Sequence, residues 1–298
     1  MNVTFRQLRL VLALADTGSV SGAARLMHVT QPTASMQLRE VAAAVGLPLF
    51  EVVSRKVVLT EAGHELARCA RAVVGEWERF GQAVAAMKGL THGRLRLAVV
   101  STAQYFVPRL LGGFCRRHPG VDVALEVLNR DGVVQRLRDN RDDLYIMSQP
   151  PVDVAIEDRV FMPNPLVLVA PAKHPLAAQR ALPLARLRAE SFILRERGSG
   201  TRMAIDAHFR RARFVPQVRL ELGSNEAILE AVAGGLGVAL VSRHALAAQP
   251  SRQGLALLDV KGMPIASHWH VVRRKGKVLS PIAAAFEEHL VREAAAKG

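Results

Sequence analysis

Residues 19–45 constrain this chain more than any other stretch. Ser19-Val20-Ser21-Gly22-Ala23-Ala24-Arg25-Leu26-Met27 sets Val20, Ala23, Ala24 and Met27 at i, i+3, i+4 and i+7. That is one apolar stripe of a helix, with Ser19 as its N-cap. After the turn His28-Val29, Thr30 caps a second helix and Pro32 falls in its first turn, where no N–H is needed. Ala34, Leu38, Val41 and Val45 form its buried stripe, and Gly46 with Pro48 ends it. Two helices on so short a turn predict a helix-turn-helix, and the small Ala23-Ala24 pair lets the axes approach. Gln31, Pro32, Thr33, Ser35, Met36 and Arg39 are left facing outward. Short polar groups and an Arg on a protruding helix suit a DNA major groove. An αα-corner inside a helical bundle presents the same local pattern, so the flanking segments have to decide.

Those segments favour DNA. Leu49–Thr60 reads as two β-prone runs around a polar tip, Ser54-Arg55-Lys56. Directly after a helix-turn-helix such a hairpin is a wing, with Arg55 and Lys56 reaching phosphate or minor groove; alone it would be a solvated turn. Thr60 then caps a long helix predicted to run to about Leu90. Its apolar positions Leu66, Ala70, Val73, Trp77, Phe80, Val84 and Met87 are spaced 4, 3, 4, 3, 4, 3. This is a heptad seam, over a length of about 45 Å. A seam can also pack on its own domain, but Arg68, Arg71, Glu76, Glu78 and Arg79 on the other faces favour self-pairing. A symmetric dimer would present two reading heads to the half-sites of an inverted repeat.

Charge needs a more careful reading. The 298 residues carry a formal +14, which favours polyanionic partners. Residues 1–90 hold ten Lys and Arg against seven Asp and Glu, a net of +3, so the remaining +11 lies beyond them. The basic excess therefore does not mark the DNA reader; it suits solubility or the capture of a small anion. No apolar run of about 18 residues is present, which excludes a spanning helix. The chain starts on an amphipathic pattern (Phe5, Leu8, Val11, Leu12, Ala15) and not on a signal peptide, and its two cysteines, Cys69 and Cys115, fit reduced thiols. A cytoplasmic protein with no membrane partner is the expectation.

Beyond the hinge Thr91-His92-Gly93 the pattern changes to strands alternating with helices. Strands are expected at Arg94–Val100, Val121–Leu128 and Asp143–Met147, with helices at Val107–Arg117 and Gly132–Asn140, a parallel α/β layout. Met162-Pro163-Asn164-Pro165 looks like a crossover to a second lobe with strands at Leu166–Ala170, Phe192–Leu194, Val218–Leu222 and Val238–Val241. Gly262-Met263-Pro264 looks like the return, before a strand His268–Val272 and a last helix Pro281–Ala295. The expected domains are a winged helix-turn-helix at 1–60, a coiled-coil linker and dimerisation helix at 61–90, effector lobe 1 at 91–162 plus 266–298, and effector lobe 2 at 163–265. Two α/β lobes joined by two crossings enclose a cleft faced by strand ends and helix N-termini.

Three strand-to-helix turns carry small or hydroxylated residues: Ser101-Thr102, Gly198-Ser199-Gly200-Thr201-Arg202 and Gly223-Ser224-Asn225. Each alone is an ordinary N-cap; together on one cleft, with Arg130, Arg195 and Arg202 near strand ends, they favour an anion site. Catalysis is not expected, because the chain has no G-x-S-x-G elbow, no H-E-x-x-H and no Walker loop. His268 and His270 share a strand face, but a lone H-x-H is more often packing or surface than a metal site. Gly234-Gly235-Leu236-Gly237 precedes a strand, so it is not a dinucleotide loop. No cofactor or metal is expected.

Taken together, Ala23-Ala24-Arg25-Leu26, Thr30-Gln31-Pro32-Thr33-Ala34-Ser35, Gly46-Leu47-Pro48-Leu49-Phe50 and Leu59-Thr60-Glu61-Ala62-Gly63 resemble the LysR-type transcriptional regulators, and the likeness covers essentially the whole chain. It implies an N-terminal all-α winged helix-turn-helix, a long linker helix and a two-lobed α/β effector domain resembling type 2 periplasmic-binding proteins. Val100–Leu111, Asn129-Arg130, Arg136–Asn140, Pro150-Pro151, Pro165–Pro171, Arg195–Arg202 and Leu279-Ser280-Pro281 look most like the CbbR type, the regulators of carbon-fixation (RuBisCO) operons. The resemblance implies a small anionic effector (a phosphorylated sugar, nucleotide or carboxylate), a homodimer or homotetramer, and double-stranded DNA as partner. Ser101, Thr102, Asn129, Arg130, Gln149, Thr201, Arg202 and Asn225 are the candidate effector contacts. The chain departs from the family with Val41-Ala42 for Leu-Glu, Val52 for an Arg, Ser148-Gln149 for Gly-Arg and Leu229 for a Lys. Rival readings are a two-lobed solute-binding protein and an α/β enzyme; the first 90 residues oppose the former, and the lack of a nucleophile–base set opposes the latter.

Overall fold

The computed structural model describes residues 2–53, 56–87 and 93–295. It divides into two compact units, Met1–Leu90 with Asp139–Arg141, and Thr91–Arg138 with Asp142–Gly298.

The first unit runs α1 (Phe5–Thr17), α2 (Val20–Leu26), α3 (Gln31–Val45), β1 (Phe50–Val53), β2 (Lys56–Leu59) and α4 (Glu61–Met87). Short polar side chains set its helix starts. Ser19 Oγ accepts from Gly22 N at 3.0 Å and Thr30 Oγ1 from Thr33 N at 3.4 Å. Gly46, at φ 78°, closes α3 through its N–H to Ala42. Ala23 and Ala24 are buried with Ala34 and Leu38 under Leu10, Val11 and Leu14, so three helices share one small core. β1 pairs antiparallel with β2 from Phe50↔Leu59 to Val53↔Lys56. Thr60 fastens this hairpin to the helices: its hydroxyl donates to Pro48 O at 2.6 Å and accepts from Gly63 N at 3.1 Å. Gly63 lies so close that a Cβ there would sit 2.0 Å from Leu49 O.

The heptad seam of α4 divides between two environments. Leu66 packs against the core of this unit and Ala70 is buried, whereas Trp77 and Phe80 are 64% and 60% exposed and Val73 is also open. The Trp77 ring stands 6.0 Å from Phe5 and 5.8 Å from Phe80. Val84 is half-buried, α4 ends at Met87, and the expected continuation to Leu90 and the hinge residues Thr91 and His92 lie outside the described residues.

The second unit continues with β3 (Gly93–Val100), a 3-10 turn at Ser101–Tyr105, α5 (Val107–Arg117), β4 (Val121–Leu128), α6 (Arg130–Arg138), β5 (Leu144–Met147) and β6 (Ile156–Pro163). Then come β7 (Leu166–Pro171), β8 (Ser191–Arg195), α7 (Gly200–Arg211), β9 (Gln217–Leu222), α8 (Asn225–Ala233), β10 (Val238–Ser242), β11 (Leu255–Leu257), β12 (His268–Arg274) and α9 (Pro281–Ala295). They form two five-stranded sheets, β4-β3-β5-β12-β6 and β11-β7-β10-β8-β9. Each is mixed, which corrects the parallel layout expected from the alternating pattern. β12 runs antiparallel to β5 and β6, and β7 antiparallel to β10 and β11. The connections that cross between sheets arrive or leave as strands, and a strand entering from the other lobe runs against its neighbours. β6 escapes the sequence pattern because Glu157, Asp158 and Arg159 interrupt its apolar residues; it is an edge strand, where charge is tolerated.

Each sheet carries helices over a core. The first is built on Leu95, Leu97, Val99, Phe114, Trp269 and Phe286, the second on Leu168, Phe192, Leu194, Phe209 and Leu240. Along β8 the faces alternate: Phe192 and Leu194 enter one cluster and Ile193 the other. Both faces are covered, and the strand delivers Arg195 to the sheet end with its backbone held in register. Among the described residues no helix is long and apolar enough to cross a membrane, and no group of three His, Cys, Asp or Glu is placed to hold a metal.

Replacing Gly63 by Ala should lower the stability of the first unit by about 2–3 kcal/mol, since the Leu49 carbonyl is backbone and has to move. Gly75→Ala, on the open side of α4 with nothing within 4 Å of the added Cβ, should instead add about 0.5–1 kcal/mol. Circular-dichroism melts of the two variants should shift in opposite directions.

Candidate functional site

The DNA-reading expectation concerns one face of α3. Ala34, Leu38 and Val41 anchor the helix in the core, which turns Gln31, Pro32, Met36 and Arg39 outward into the open. Thr33 and Ser35 are half-buried at the edge of this face, and the Thr33 and Thr30 hydroxyls share a hydrogen bond at 2.8 Å. Gln7 Nε2 donates to Glu40 Oε2 at 3.1 Å and ties α1 to the back of α3. Lys56 stands opposite Val53 in the hairpin; Arg55 lies outside the described residues. Val52, at the position where an Arg is usual, is exposed.

In the second unit turns from the two sheets face one another and touch. From the first sheet come Ser101 and Thr102 at the exit of β3, Asn129 and Arg130 at the start of α6, and Gln149 after β5. From the second come Arg195 at the end of β8, Thr201 and Arg202 in the first turn of α7, and Asn225 opening α8. Ser199 Oγ caps α7 by accepting from Arg202 N at 3.0 Å, and Ser224 Oγ caps α8 by accepting from Ala227 N at 3.3 Å. Gly200 sits where the lobes meet: a Cβ there would lie 2.8 Å from Ser148 Oγ, which would have to turn aside, and 3.5 Å from Gln149 Cβ.

Arg195 sits at the centre and is only 2% exposed. Its guanidinium donates to Thr102 Oγ1 (3.1 Å), Ser101 Oγ (3.2 Å), Asn225 Oδ1 (3.2 Å) and both oxygens of Glu196 (2.7 and 2.9 Å). Asn225 Nδ2 also donates to Thr102 Oγ1 at 3.1 Å, so Ser101, Thr102 and Asn225 form one network around the cation. The remaining candidates do other work nearby. Arg130 Nε donates to Gln149 O at 3.0 Å, while Asn129 Oδ1 accepts from Gly132 N at 2.9 Å as an N-terminal cap of α6. Thr201 is buried. Arg202 braces the second lobe: Nε meets Asp206 at 3.0 Å, one terminal nitrogen meets Arg195 O at 2.8 Å and the other Glu221 at 3.2 Å.

Sequence reasoning missed a second bridge between the lobes. The Tyr105 hydroxyl donates to Glu226 Oε1 at 2.7 Å and Gln104 Nε2 donates to the same oxygen at 3.1 Å, while Ser224 Oγ donates to Oε2 at 2.7 Å. Burial, then the bond to Glu226, pushes the Tyr105 phenol up to about 12. The hydroxyls of Ser224 and Tyr105 hold the Glu226 carboxyl below the usual carboxylate range. The bridge is thus a neutral phenol donating to a carboxylate across a wide neutral window. Glu196 was missed as well. Gln104 and Tyr105 fall within the Val100–Leu111 stretch, but only the fold joins them to Glu226.

A helix-turn-helix with an exposed polar face, and a two-lobed α/β unit whose facing turns surround a buried Arg, define a ligand-responsive DNA-binding regulator. Residues 5–64 match the family "Bacterial regulatory helix-turn-helix protein, lysR family", and residues 88–295 match "LysR substrate binding domain". A RuBisCO operon transcriptional regulator of Allochromatium vinosum is 43% identical over 295 residues, 99% of this chain and 98% of that one. The solved regulatory domain of Synechocystis CcmR, in complex with 2-PG, is 45% identical with a TM-score of 0.66, covering 68% of this chain and 98% of that one. Full-length CbnR, complexed with its target DNA, is 27% identical with a TM-score of 0.68, covering 98% and 100%. The chain belongs to the LysR family of DNA-binding transcriptional regulators.

The Tyr105–Glu226 bridge carries a pH signature. A depressed carboxyl contributes stability above its unfolded value of 4.5 and loses it as pH falls through the folded value; a raised phenol contributes below 10 and loses it as pH rises toward about 12. Tyr105→Phe should therefore lower the melting temperature by a few degrees at pH 7. The difference from wild type should shrink in acid below the carboxylate range and again in strong alkali, as read by melts across pH.

Proposed function

We propose that this regulator controls a carbon-fixation operon, and that a small dianion carrying phosphate or carboxylate binds in the cleft between the two lobes and alters how the chain holds its operator. The observation that carries this is the meeting of Ser101, Thr102 and Asn225 around the buried cation of Arg195, where the two lobes face each other. The relatives point the same way: one is named for a RuBisCO operon, and another holds 2-PG. Arg130, Gln149, Thr201 and Arg202 frame the remaining walls, and Arg202 also braces β8 and α7.

On the DNA side, Gln31, Pro32, Thr33, Ser35, Met36 and Arg39 enter the major groove, and Arg55 and Lys56 of the wing hold backbone phosphate. Two chains pair through the α4 seam, Leu66, Val73, Trp77, Phe80, Val84 and Met87, of which Val73, Trp77 and Phe80 stand open. Half-exposed aromatic rings along one helix are unusual in a monomer and are covered when a second copy docks there. Paired heads read an inverted repeat, and dimers associate further into tetramers as the family resemblance implies.

The test is a gel-shift titration of the full chain on a duplex from the RuBisCO promoter of its own genome, against a scrambled duplex at two salt concentrations. Arg39→Ala should weaken operator binding by about 1–3 kcal/mol with melting unchanged. Equal affinity for both duplexes would overturn the regulator assignment for that promoter, and an unaltered Arg39→Ala titration would remove Arg39 from the groove.

A further inference from the structure

A guanidinium has five N–H donors, and those of Arg195 are all engaged. Nε and one N–H of a terminal nitrogen clasp the two oxygens of Glu196; the other three N–H groups meet Ser101, Thr102 and Asn225. An incoming anion therefore finds no vacant donor on this cation. Ser101 and Thr102 are hydroxyls, which can rotate and donate to an anion that joins them. The Glu196 carboxylate has no proton to offer, and two anions on one fork repel. Its two-point grip is also the geometry that an external carboxylate or phosphate prefers.

Glu196 is the partner placed to leave. Its side chain is 30% exposed against 3% for Arg195, and it reaches the fork from the adjacent residue, at the point where β8 gives way to the Gly198 turn. We infer that Glu196 is a tethered occupant of the Arg195 fork, which the anionic group of the effector displaces on binding. The inference rests on the cleft reading above and deepens it. Because the competing carboxylate is joined to the same chain, its effective concentration is high, and it sets the ligand concentration at which the regulator responds. It also selects ligand chemistry: a neutral sugar has nothing that exchanges for a carboxylate, whereas a bidentate oxyanion exchanges in kind.

Titration calorimetry of the full chain with 2-phosphoglycolate, at fixed ionic strength, tests this with four proteins. Glu196→Gln keeps the size of the side chain and removes its charge, and it should bind at least tenfold more tightly than wild type. Asp131→Asn removes a charge lying 3.4 Å from the position of an added Gly198 Cβ, off the fork, and should stay within about twofold. Arg195→Gln should bind at least tenfold more weakly. Melts check folding, and Glu196→Ala stands in if the Gln variant melts early. Glu196→Gln binding no tighter than wild type while Arg195→Gln loses affinity would overturn the displacement and leave the cleft reading standing. Equal tightening by Asp131→Asn would reduce the effect to general electrostatics and also overturn it. Wild-type affinity in Arg195→Gln, or no binding by any of the four, would remove the cleft reading and the displacement with it.

Discussion

Burying a guanidinium is costly unless every donor is met, and the ligand-binding unit is arranged around that requirement at Arg195. The apolar run Phe192-Ile193-Leu194 carries the strand through the middle of one lobe and sets the cation at its tip. Acceptors then come from both lobes: Ser101 and Thr102 from the first, Asn225 and Glu196 from the second. Small residues let these pieces approach, Gly200 most visibly, since any side chain there would run into Ser148. One charge thereby joins the two lobes through a complete set of hydrogen bonds.

The DNA-binding unit solves a different problem with similar economy of size. Its core is small, and it gains rigidity from alanines at the helix crossing and from Thr60, which serves both as N-cap of α4 and as donor to the Pro48 carbonyl. Gly63 permits this closeness. The result holds one face of α3 outward, with β1 and β2 paired in register beside it.

Much of this was legible in the chain. Helix caps such as Ser19 and Thr30, terminators such as Gly46 and periodic apolar stripes are local, and they located α2, α3, α4 and α9 closely. The hydroxylated turns at Ser101, Ser199 and Ser224 were visible for the same reason. What stayed hidden depends on contacts far apart in sequence. The mixed sheets follow from strands passing between lobes, and the charged β6 reads as loop until its Glu157 and Asp158 are seen paired with Arg273 and His270 on β12. The place of Arg202 in the turn is legible, but its ion pairs with Asp206 and Glu221 are not. Glu196, though within the Arg195–Arg202 stretch, and Glu226 draw their meaning from partners that only the fold supplies.

The central claim is that cleft and operator are thermodynamically coupled. Coupling of that kind is reciprocal: if the ligand changes operator affinity by some factor, the operator changes ligand affinity by the same factor. The decisive measurement takes 2-phosphoglycolate as a probe anion and compares its dissociation constant for the full chain, free and saturated with operator duplex, with the operator affinity in its presence and absence. The account predicts equal factors of about 5–150 in the two directions, both lost in Arg195→Gln. Ligand binding that leaves operator affinity unchanged, and is itself unchanged by the operator, would contradict it.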